Sequence, residues 1–189
     1  MTWYDRPILI GGHVRLEPLS VDHAEGLLAA GKDPDIWTWL GVRQPQTLSE
    51  ARTMVENTLA DPTRRAWAQL DPVTGEVAGT TSYYEIDPGH RGLYIGHTWI
   101  GARWQRTALN RAAKLLLLTR AFEVLGAHRV GWHTDARNER SQRAIERLGA
   151  TREGVLRAHR VRPDGTLRDT VVYSMTAAEW PAAKAALTA

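Results

Sequence analysis

The segment from Thr107 to Leu125 constrains the fold most, because it carries apolar side chains on two adjacent faces of one helix. A surface helix has a single apolar stripe, whereas a helix with two stripes is packed from more than one side. The polar residues between these apolar positions form one ridge, made of Arg111, Lys114, Arg120 and Glu123. Gly126 then ends the helix. The sequence therefore predicts a largely buried helix over 107–125, with that ridge as its polar side.

The rest of the chain alternates between strand and helix patterns. We predict strands over 13–19, 66–71, 76–84, 93–101, 128–135, 151–161 and 170–175. Helices are predicted from Asp22 or Ser20 to about Ala30, over 49–59, over 138–149 and in the Ala-rich C-terminus. A Pro-Asp-Gly turn at 163–165 joins the last two strands. No linker or repeat divides the chain, so we expect residues 1–189 to form a single α+β domain with helices on both faces of a sheet.

Composition excludes several classes of function. The chain has no cysteine, and its seven histidines show no HxxxH or HxH spacing, so we expect neither disulfides nor a metal site. A formal net charge of +3 allows an anionic ligand, but a nucleic-acid reader usually concentrates more positive charge on one face. No run reaches the about 18 apolar residues of a membrane span and no signal sequence is apparent, so we expect a soluble, cytoplasmic protein. The GxSxG, Walker and GxGxxG motifs are also absent.

Two predicted helices begin after a strand, at 105–110 and at 135–141. Unpaired amides and the positive end of the dipole make a helix start a potential anion site, although every helix has one. At the first start, Arg103, Arg106 and Arg111 surround the amides and favour a phosphate or pyrophosphate ligand. Solvated surface arginines are the simpler interpretation, and the local sequence leaves both open.

The second start carries the candidate catalytic groups. Asn138 is a good N-cap, and the Ser141 hydroxyl points to the same helix mouth, where it either completes the cap or serves chemistry. Strand alternation places His133 on one face with Gly131 and Asp135. This imidazole is therefore either a solvated or satisfied sheet histidine or a base that faces a cleft.

Trp37 and Trp39 lie in an irregular segment over 33–46. Eight tryptophans against one phenylalanine are unusual, and core packing alone would not need both of these in one loop. They either cover an edge of the core or bind a flat or apolar group of a substrate.

Several motifs together resemble the GCN5-related N-acetyltransferases. They are the strand YIGHTWIG at 94–101, the long helix after it, NxxSxxAIxxLGA at 138–150, and EGVLR at 153–157 followed by a hairpin. The resemblance covers about 13–180, and within the family the chain is similar to the RimJ and RimL branch of ribosomal-protein N-terminal acetyltransferases. The family's signature turn is Gln/Arg-x-x-Gly-x-Gly/Ala, in which Gln105 matches but Ala108 and Asn110 replace glycines. Because a glycine lets the backbone approach a pyrophosphate without a Cβ, the replacement weakens this turn as a signal.

The resemblance implies a mixed, largely antiparallel sheet of about seven strands, in which 95–100 splays from 128–134 and acetyl-CoA lies in the gap. It places the pantetheine along the backbone of Trp99, Ile100 and Gly101. It places the pyrophosphate on the turn formed by Arg106, Thr107, Ala108, Leu109 and Asn110. Asn138 would contact the same cosubstrate. Ser141 would protonate the leaving CoA thiolate, because Ile145 replaces the tyrosine that many members use for that step.

The resemblance leaves the base and the acceptor open. His133 occupies the position of a glutamate in some N-terminal acetyltransferases, and an imidazole with a pKa of about 6.5 could replace it. An α-amine is roughly a tenth neutral at pH 7, whereas deprotonating a lysine costs about 4–5 kcal/mol. We therefore expect direct acetyl transfer to a protein N-terminus or a small-molecule amine, with Trp37 and Trp39 in the loop that closes over the acceptor. A homodimer is expected from the family, and the alternative function is a non-catalytic acyl-CoA-binding sensor.

Overall fold

Within residues 2–162 and 164–189, which the computed structural model describes, eight strands form one sheet. They are β1 (Leu9–Gly11), β2 (Val14–Pro18), β3 (Arg65–Leu70), β4 (Val77–Asp87), β5 (Gly92–Ile100), β6 (Arg129–Asp135), β7 (Thr151–Val161) and β8 (Leu167–Thr176). Their order across the sheet is β1-β2-β3-β4-β5-β6-β8-β7. β5 and β6 run parallel, and the other neighbours run antiparallel. The predicted mixed, largely antiparallel sheet is confirmed, with one strand more than the seven expected.

Helices cover both faces of this sheet, as the sequence predicts. In the described part of the chain they are α1 (Ala24–Ala30), α2 (Leu48–Ala60), α3 (Leu109–Thr119), α4 (Glu139–Glu146) and α5 (Trp180–Thr188). The buried side chains of α1 and α2 form one apolar cluster with β3, and those of α3, α4 and α5 form a larger one on the opposite face. None of these helices is both long and apolar enough to cross a bilayer.

Some boundaries differ from the sequence prediction. β1 has no predicted counterpart, because its three residues form an edge hairpin with β2 and are too short to show a pattern. α3 begins at Leu109 rather than Thr107, since the chain at Arg106 has a φ of +63° and cannot continue a helix backwards. A π-helical segment, Arg120–Val124, extends α3. The predicted turn at 163–165 includes Pro163, which lies outside the described residues.

The polar ridge of α3 is the main correction to the sequence prediction. Lys114 is 5% exposed and Arg120 is 2% exposed, where the spacing predicts a polar surface. Lys114 lies beneath the centre of the sheet, and its Nζ donates to the hydroxyls of Thr81 and Thr98 at 3.0 and 2.7 Å. Arg120 Nη2 donates to the backbone carbonyl of Asp5 at 2.9 Å. Both side chains are therefore buried with hydrogen-bond partners. The sheet and the N-terminal segment cover this side of the helix, and the helical pattern of the sequence does not show which elements pack against it.

Candidate active site

β5 and β6 pair over three residues and then separate. Their parallel register runs from Gly92 opposite Arg129 to Tyr94 opposite Gly131. β5 nevertheless continues to Ile100 and β6 to Asp135. The two strands therefore present free edges to each other across an open gap, and the expected splay of 95–100 from 128–134 is confirmed.

A bulge in β5 shapes this gap. The register with β4 shifts between Thr80 and Ser82, and His97 at the bulge has a φ of +49°, which few non-glycine residues adopt. Thr98 faces α3, whereas the His97 ring lies on the opposite face, 5.1 Å from the Tyr84 ring. Backbone strain of this kind clusters at functional sites, because only a surrounding structure under selection maintains it.

The backbone peptide groups of the three β5 residues expected to line a pantetheine point to different edges of the strand. The Trp99 carbonyl points toward β4, where a Cβ on Gly79 would clash with it. The Gly101 amide donates to a carbonyl at the start of β4 at 2.8 Å. Because peptide groups alternate between the two edges of a strand, Ile100 presents its own to the gap, and its carbonyl accepts from Gln105 Nε2 at 3.1 Å. Of the three predicted residues, Ile100 is the one whose backbone faces the free edge.

The turn before α3 leaves several amides free. The first helical hydrogen bond runs from the Ala112 amide to the Ala108 carbonyl at 2.9 Å. Within the described residues, no acceptor pairs the amides of Arg106, Thr107, Ala108, Asn110 and Arg111. The left-handed conformation of the turn falls on Arg106, whereas Ala108 has a φ of −68° and Asn110 is helical. The two positions at which the resemblance expects glycine therefore need no glycine backbone here.

The cations around this turn differ from those that the sequence suggests. Arg103 is drawn away, because it forms an ion pair with the glutamate that precedes β4. Arg106 and Arg111 are exposed at the turn. Arg140 of α4 joins them, since its Nη1 donates to Gln105 Oε1 at 2.9 Å. Sequence reasoning missed Arg140, because its contact with Gln105 joins residues that are 35 positions apart in the chain.

Asn138 and Ser141 lie together at the N-terminus of α4, just after the free end of β6. Asn138 Oδ1 accepts from the Ser141 amide at 3.0 Å, so Asn138 supplies the helix cap. The half-buried Ser141 hydroxyl forms no hydrogen bond with any group that the structure describes. The alternative in which this hydroxyl completes the cap is therefore not realised. Ile145, one turn further, is buried in the apolar core.

Aromatic and imidazole rings cluster on the sheet face opposite α3, where β5 and β6 part. The Tyr94 ring lies 4.6 Å from the His133 ring and 5.5 Å from the Tyr84 ring. His159 of β7 lies 5.7 Å from His133. We term this cluster the imidazole cleft: Tyr84, Tyr94, His97, His133 and His159. His133 therefore lies in this ring cluster beside the gap, and its role as a base stays a prediction.

Burial keeps the inner imidazoles of this cleft neutral. It lowers the pKa of His133 from 6.5 to about 4, and positive charge on Arg160 and Arg168 contributes. Burial likewise lowers the pKa of His97 to about 4, with a contribution from Arg64. The pKa of His133 therefore lies below the ordinary imidazole value of 6.5. A histidine with so low a pKa is a weak base, which limits any proton transfer it could perform.

Trp37 and Trp39 have different environments. Trp37 is 7% exposed, its ring lies 5.0 Å from that of Trp99, and its Nε1 donates to the Gly31 carbonyl at 2.8 Å. A buried indole needs both apolar neighbours and an acceptor, and Trp37 has both, so it packs the core. Trp39 is half-buried and stays a candidate for contact with an acceptor.

Other residues of this region are not among the site residues that the sequence predicts. They are Tyr84, Tyr94, His97, Arg140 and Lys114. Strand alternation could have given the face on which Tyr84 and Tyr94 lie, because each points to the side opposite the residue before it, Tyr83 and Leu93. The bulge at His97 and the burial of Lys114 depend on contacts between elements and leave no local pattern.

Comparison with known proteins finds relatives of similar sequence and fold. The family described as Acetyltransferase (GNAT) domain matches residues 13–151. A provisionally assigned acetyltransferase from T. thermophilus is 44% identical, with a TM-score of 0.91 over 99% of this chain and 98% of that one. A GCN5-related N-acetyltransferase from Brucella melitensis is 34% identical, with a TM-score of 0.94 over 97% of this chain and 85% of that one. Mycobacterium smegmatis RimJ, solved with CoA-disulfide, shares the fold at 19% identity, with a TM-score of 0.81 over 98% of this chain and 94% of that one.

Proposed function

The chain belongs to the GNAT acetyltransferase family, and we propose that it transfers the acetyl group of acetyl-CoA directly to a primary amine. The observation that carries this proposal is the gap between β5 and β6, whose free edges end beside the starts of α3 and α4. The acceptor that we propose is a protein N-terminal α-amine or a small-molecule amine, as in a RimJ/RimL-like enzyme.

The residues present at the gap fit a cosubstrate that carries a pyrophosphate. The free amides of Arg106, Thr107, Ala108, Asn110 and Arg111 and the positive end of α3 suit phosphate oxygens. Arg111 and Arg140 add guanidinium groups on either side of the turn. The free edge at Ile100 can pair with an extended amide-containing chain as a further strand would. When bound, acetyl-CoA supplies the activated acetyl thioester.

The weak bases of the cleft favour an acceptor that is already partly neutral. An α-amine with a pKa of about 8 is roughly a tenth neutral at pH 7, whereas deprotonating a lysine costs about 4–5 kcal/mol. His133, with a pKa of about 4, can accept a hydrogen bond from the amine but retains a proton poorly. We therefore propose a weakly basic amine as the nucleophile.

Ser141 is the group that we assign to the leaving thiolate. Its hydroxyl has no partner among the described residues, and the apolar, buried Ile145 can supply no proton. In direct transfer the amine attacks the thioester carbon, the carbon–sulfur bond breaks, and Ser141 Oγ gives a proton to sulfur while water relays the ammonium proton back to it. The chain has no cysteine, so no cysteine acyl-enzyme is expected.

The substitution Ser141→Ala tests this assignment. It should lower kcat by at least about tenfold, the size of a general-acid contribution. The affinity for acetyl-CoA, measured by titration calorimetry, should not change, because the Asn138 cap accepts from the backbone of residue 141 and persists in the variant. Ser49→Ala, on the exposed side of α2, is the matched control. An unchanged kcat would remove Ser141 from the acid role.

A direct assay tests the function itself. The protein is incubated with acetyl-CoA and a panel of α-amines, polyamines and aminoglycosides, and free CoA thiol is measured together with the mass of each product. Acetylation of at least one amine supports the proposal. Tight binding of acetyl-CoA without thiol release across the panel would instead support the alternative of an acyl-CoA-binding sensor.

A further inference from the structure

Three buried polar atoms beside the imidazole cleft lack a hydrogen-bond partner among the residues that the structure describes: His133 Nδ1, Arg168 Nε and Thr170 Oγ1. The register places His133 opposite Val172 and Asp135 opposite Thr170, so alternation puts all three side chains on one face of β6 and β8. Buried polar groups are nearly always paired in folded proteins. These three atoms are shielded from solvent, so the groups that a polar ligand can reach on this face are the exposed Arg160 and the partly exposed Arg168.

Arginines dominate the charge of this face. Arg160 of β7 lies directly opposite Arg168 of β8, and like charges in that arrangement repel. Arg168 Nε is 3.9 Å from Asp135, but Arg162 already holds that carboxylate at 2.7 and 3.0 Å. Arg160 has no acidic partner in the described residues. The opposed pair therefore has donors that no carboxylate of the chain uses fully.

Arg64 extends the positive charge to the other side of the cleft. Its Nε donates to a β4 hydroxyl at 2.7 Å. Burial lowers the pKa of its guanidinium to about 10 and Asp61 partly offsets this, so the group is still charged at neutral pH. Besides burial, Arg160 contributes to the low pKa of both His97 and His133, which lie on different strands. The two imidazoles thus experience the same positive field.

We propose that the acceptor amine carries an acidic group, a carboxylate or a phosphate, that binds across Arg160 and Arg168 while the amine reaches the gap between β5 and β6. This inference rests on the acetyl transfer proposed above and names the class of its acceptor. A guanidinium binds carboxylate and phosphate through two parallel hydrogen bonds, which suits the free donors of both arginines. The bound anion also removes the repulsion between them.

Cationic acceptors fit this face poorly. A polyamine or an aminoglycoside would bring several positive charges to within a few ångströms of Arg64, Arg160 and Arg168. Exposed charges interact over a Debye length of about 8 Å at physiological ionic strength, so this repulsion is only partly screened. Positive surroundings also lower the pKa of a bound amine, which increases its neutral, nucleophilic fraction.

Matched acceptor pairs test the inference, because each pair differs in the acid and keeps the amine. The pairs are phosphoserine amide with serine amide, Asp-Ala amide with Asn-Ala amide, and a ten-residue peptide beginning Ser-Asp-Glu with one beginning Ser-Asn-Gln. CoA release is followed at two salt concentrations. We expect kcat/KM to be at least about tenfold higher for the acidic member, with the excess shrinking as salt rises. The small amides and the peptides separate a small-molecule source of the acid from a protein N-terminus.

The substitution Arg160→Gln should remove most of this preference. We expect KM for the acidic member to rise about tenfold while kcat and the kinetics of its neutral partner change little. Arg152→Gln is the control, because it removes a guanidinium from the same strand near Tyr173 rather than near the cleft. Circular dichroism checks that both variants fold.

The outcomes separate the two proposals. If no amine of any class is acetylated, the transfer itself is refuted. If amines are acetylated but the neutral or cationic acceptors react as well as the acidic ones, acetyl transfer stands and the acidic acceptor is refuted. Retention of the acid preference in Arg160→Gln would likewise remove the opposed arginines from the binding site.

Discussion

Replacing Lys114 by methionine is expected to stabilise the protein near neutral pH and to flatten its stability between pH 7 and 9.5. Lys114 is 5% exposed and has two hydroxyl partners but no ion pair among the described residues. Burial lowers the pKa of its ammonium group from 10.5 to about 7. Methionine has a similar length and no charge. The hydroxyls of Thr81 and Thr98 lie 2.8 Å apart and can satisfy each other in the variant.

The magnitude follows from proton linkage. Below pH 7 both the folded and the unfolded chain carry this charge, and the folded state bears the full cost of burying it. Between about 7 and 10.5 the unfolded chain binds one proton more than the folded one, so the free energy of unfolding rises with pH. At about 1.4 kcal/mol per pH unit, the rise from pH 7 to 9 is about 2–3 kcal/mol. The whole window sets an upper limit of about 5 kcal/mol.

Urea unfolding of both proteins at pH 6.5, 8 and 9.5 measures the effect. Titration of other groups cancels in the difference in unfolding free energy between Lys114→Met and the wild type. This difference should be largest at pH 6.5 and smaller by about 3 kcal/mol at pH 9.5. Lys32→Met, an exposed lysine, is the control and should give a small, pH-independent difference. A Lys114→Met difference that is the same at all three pH values would refute the desolvation of this amine.

Two further substitutions test the corrections to the sequence prediction. Ala108→Gly should leave the dissociation constant of CoA within about threefold, measured by calorimetry, because φ at this position is already helical and needs no glycine. A CoA affinity more than about tenfold tighter would show that the alanine Cβ obstructs the phosphate. Trp37→Ala should cost about 3–5 kcal/mol in the free energy of unfolding, because a buried indole leaves a cavity. Trp39→Ala is its half-buried counterpart, and an equal loss in the two variants would contradict the different roles assigned to them.

The pattern of apolar and polar residues within each segment was sufficient to predict most of the strands and helices. Alternation predicted β2 to β8, and a 3.6-residue period with capping residues predicted α2 and α4, because each pattern reflects the backbone geometry of one segment. The cap at Asn138 is of this kind, since donor and acceptor are three residues apart. Ser141 and the turn before α3 were located for the same reason, as ends of predicted helices.

Other features depended on contacts between segments. The amphipathic pattern of α3 marked Lys114 as polar. Whether a polar face is exposed to water depends on the elements that pack against it, and here β4 and β5 cover Lys114. The pKa of His133 was set by burial and by arginines from β7 and β8, which no spacing within β6 reveals. Arg140 lies at the turn because it contacts Gln105, and Arg103 points away from the turn because it pairs with Glu76. Both partners are distant in the chain.

The sequence by itself determined most of the elements, their order, the approximate helix starts beside the gap and the resemblance to an acetyltransferase family, because these rest on periods, caps and motifs encoded within a few residues. The tertiary structure alone decided that Lys114 is buried, that Ile100 rather than Trp99 faces the gap, and that Arg160 of β7 lies opposite Arg168 of β8. Burial and electrostatic fields sum over every neighbour in space, and that sum exists only when the strands and helices have packed together.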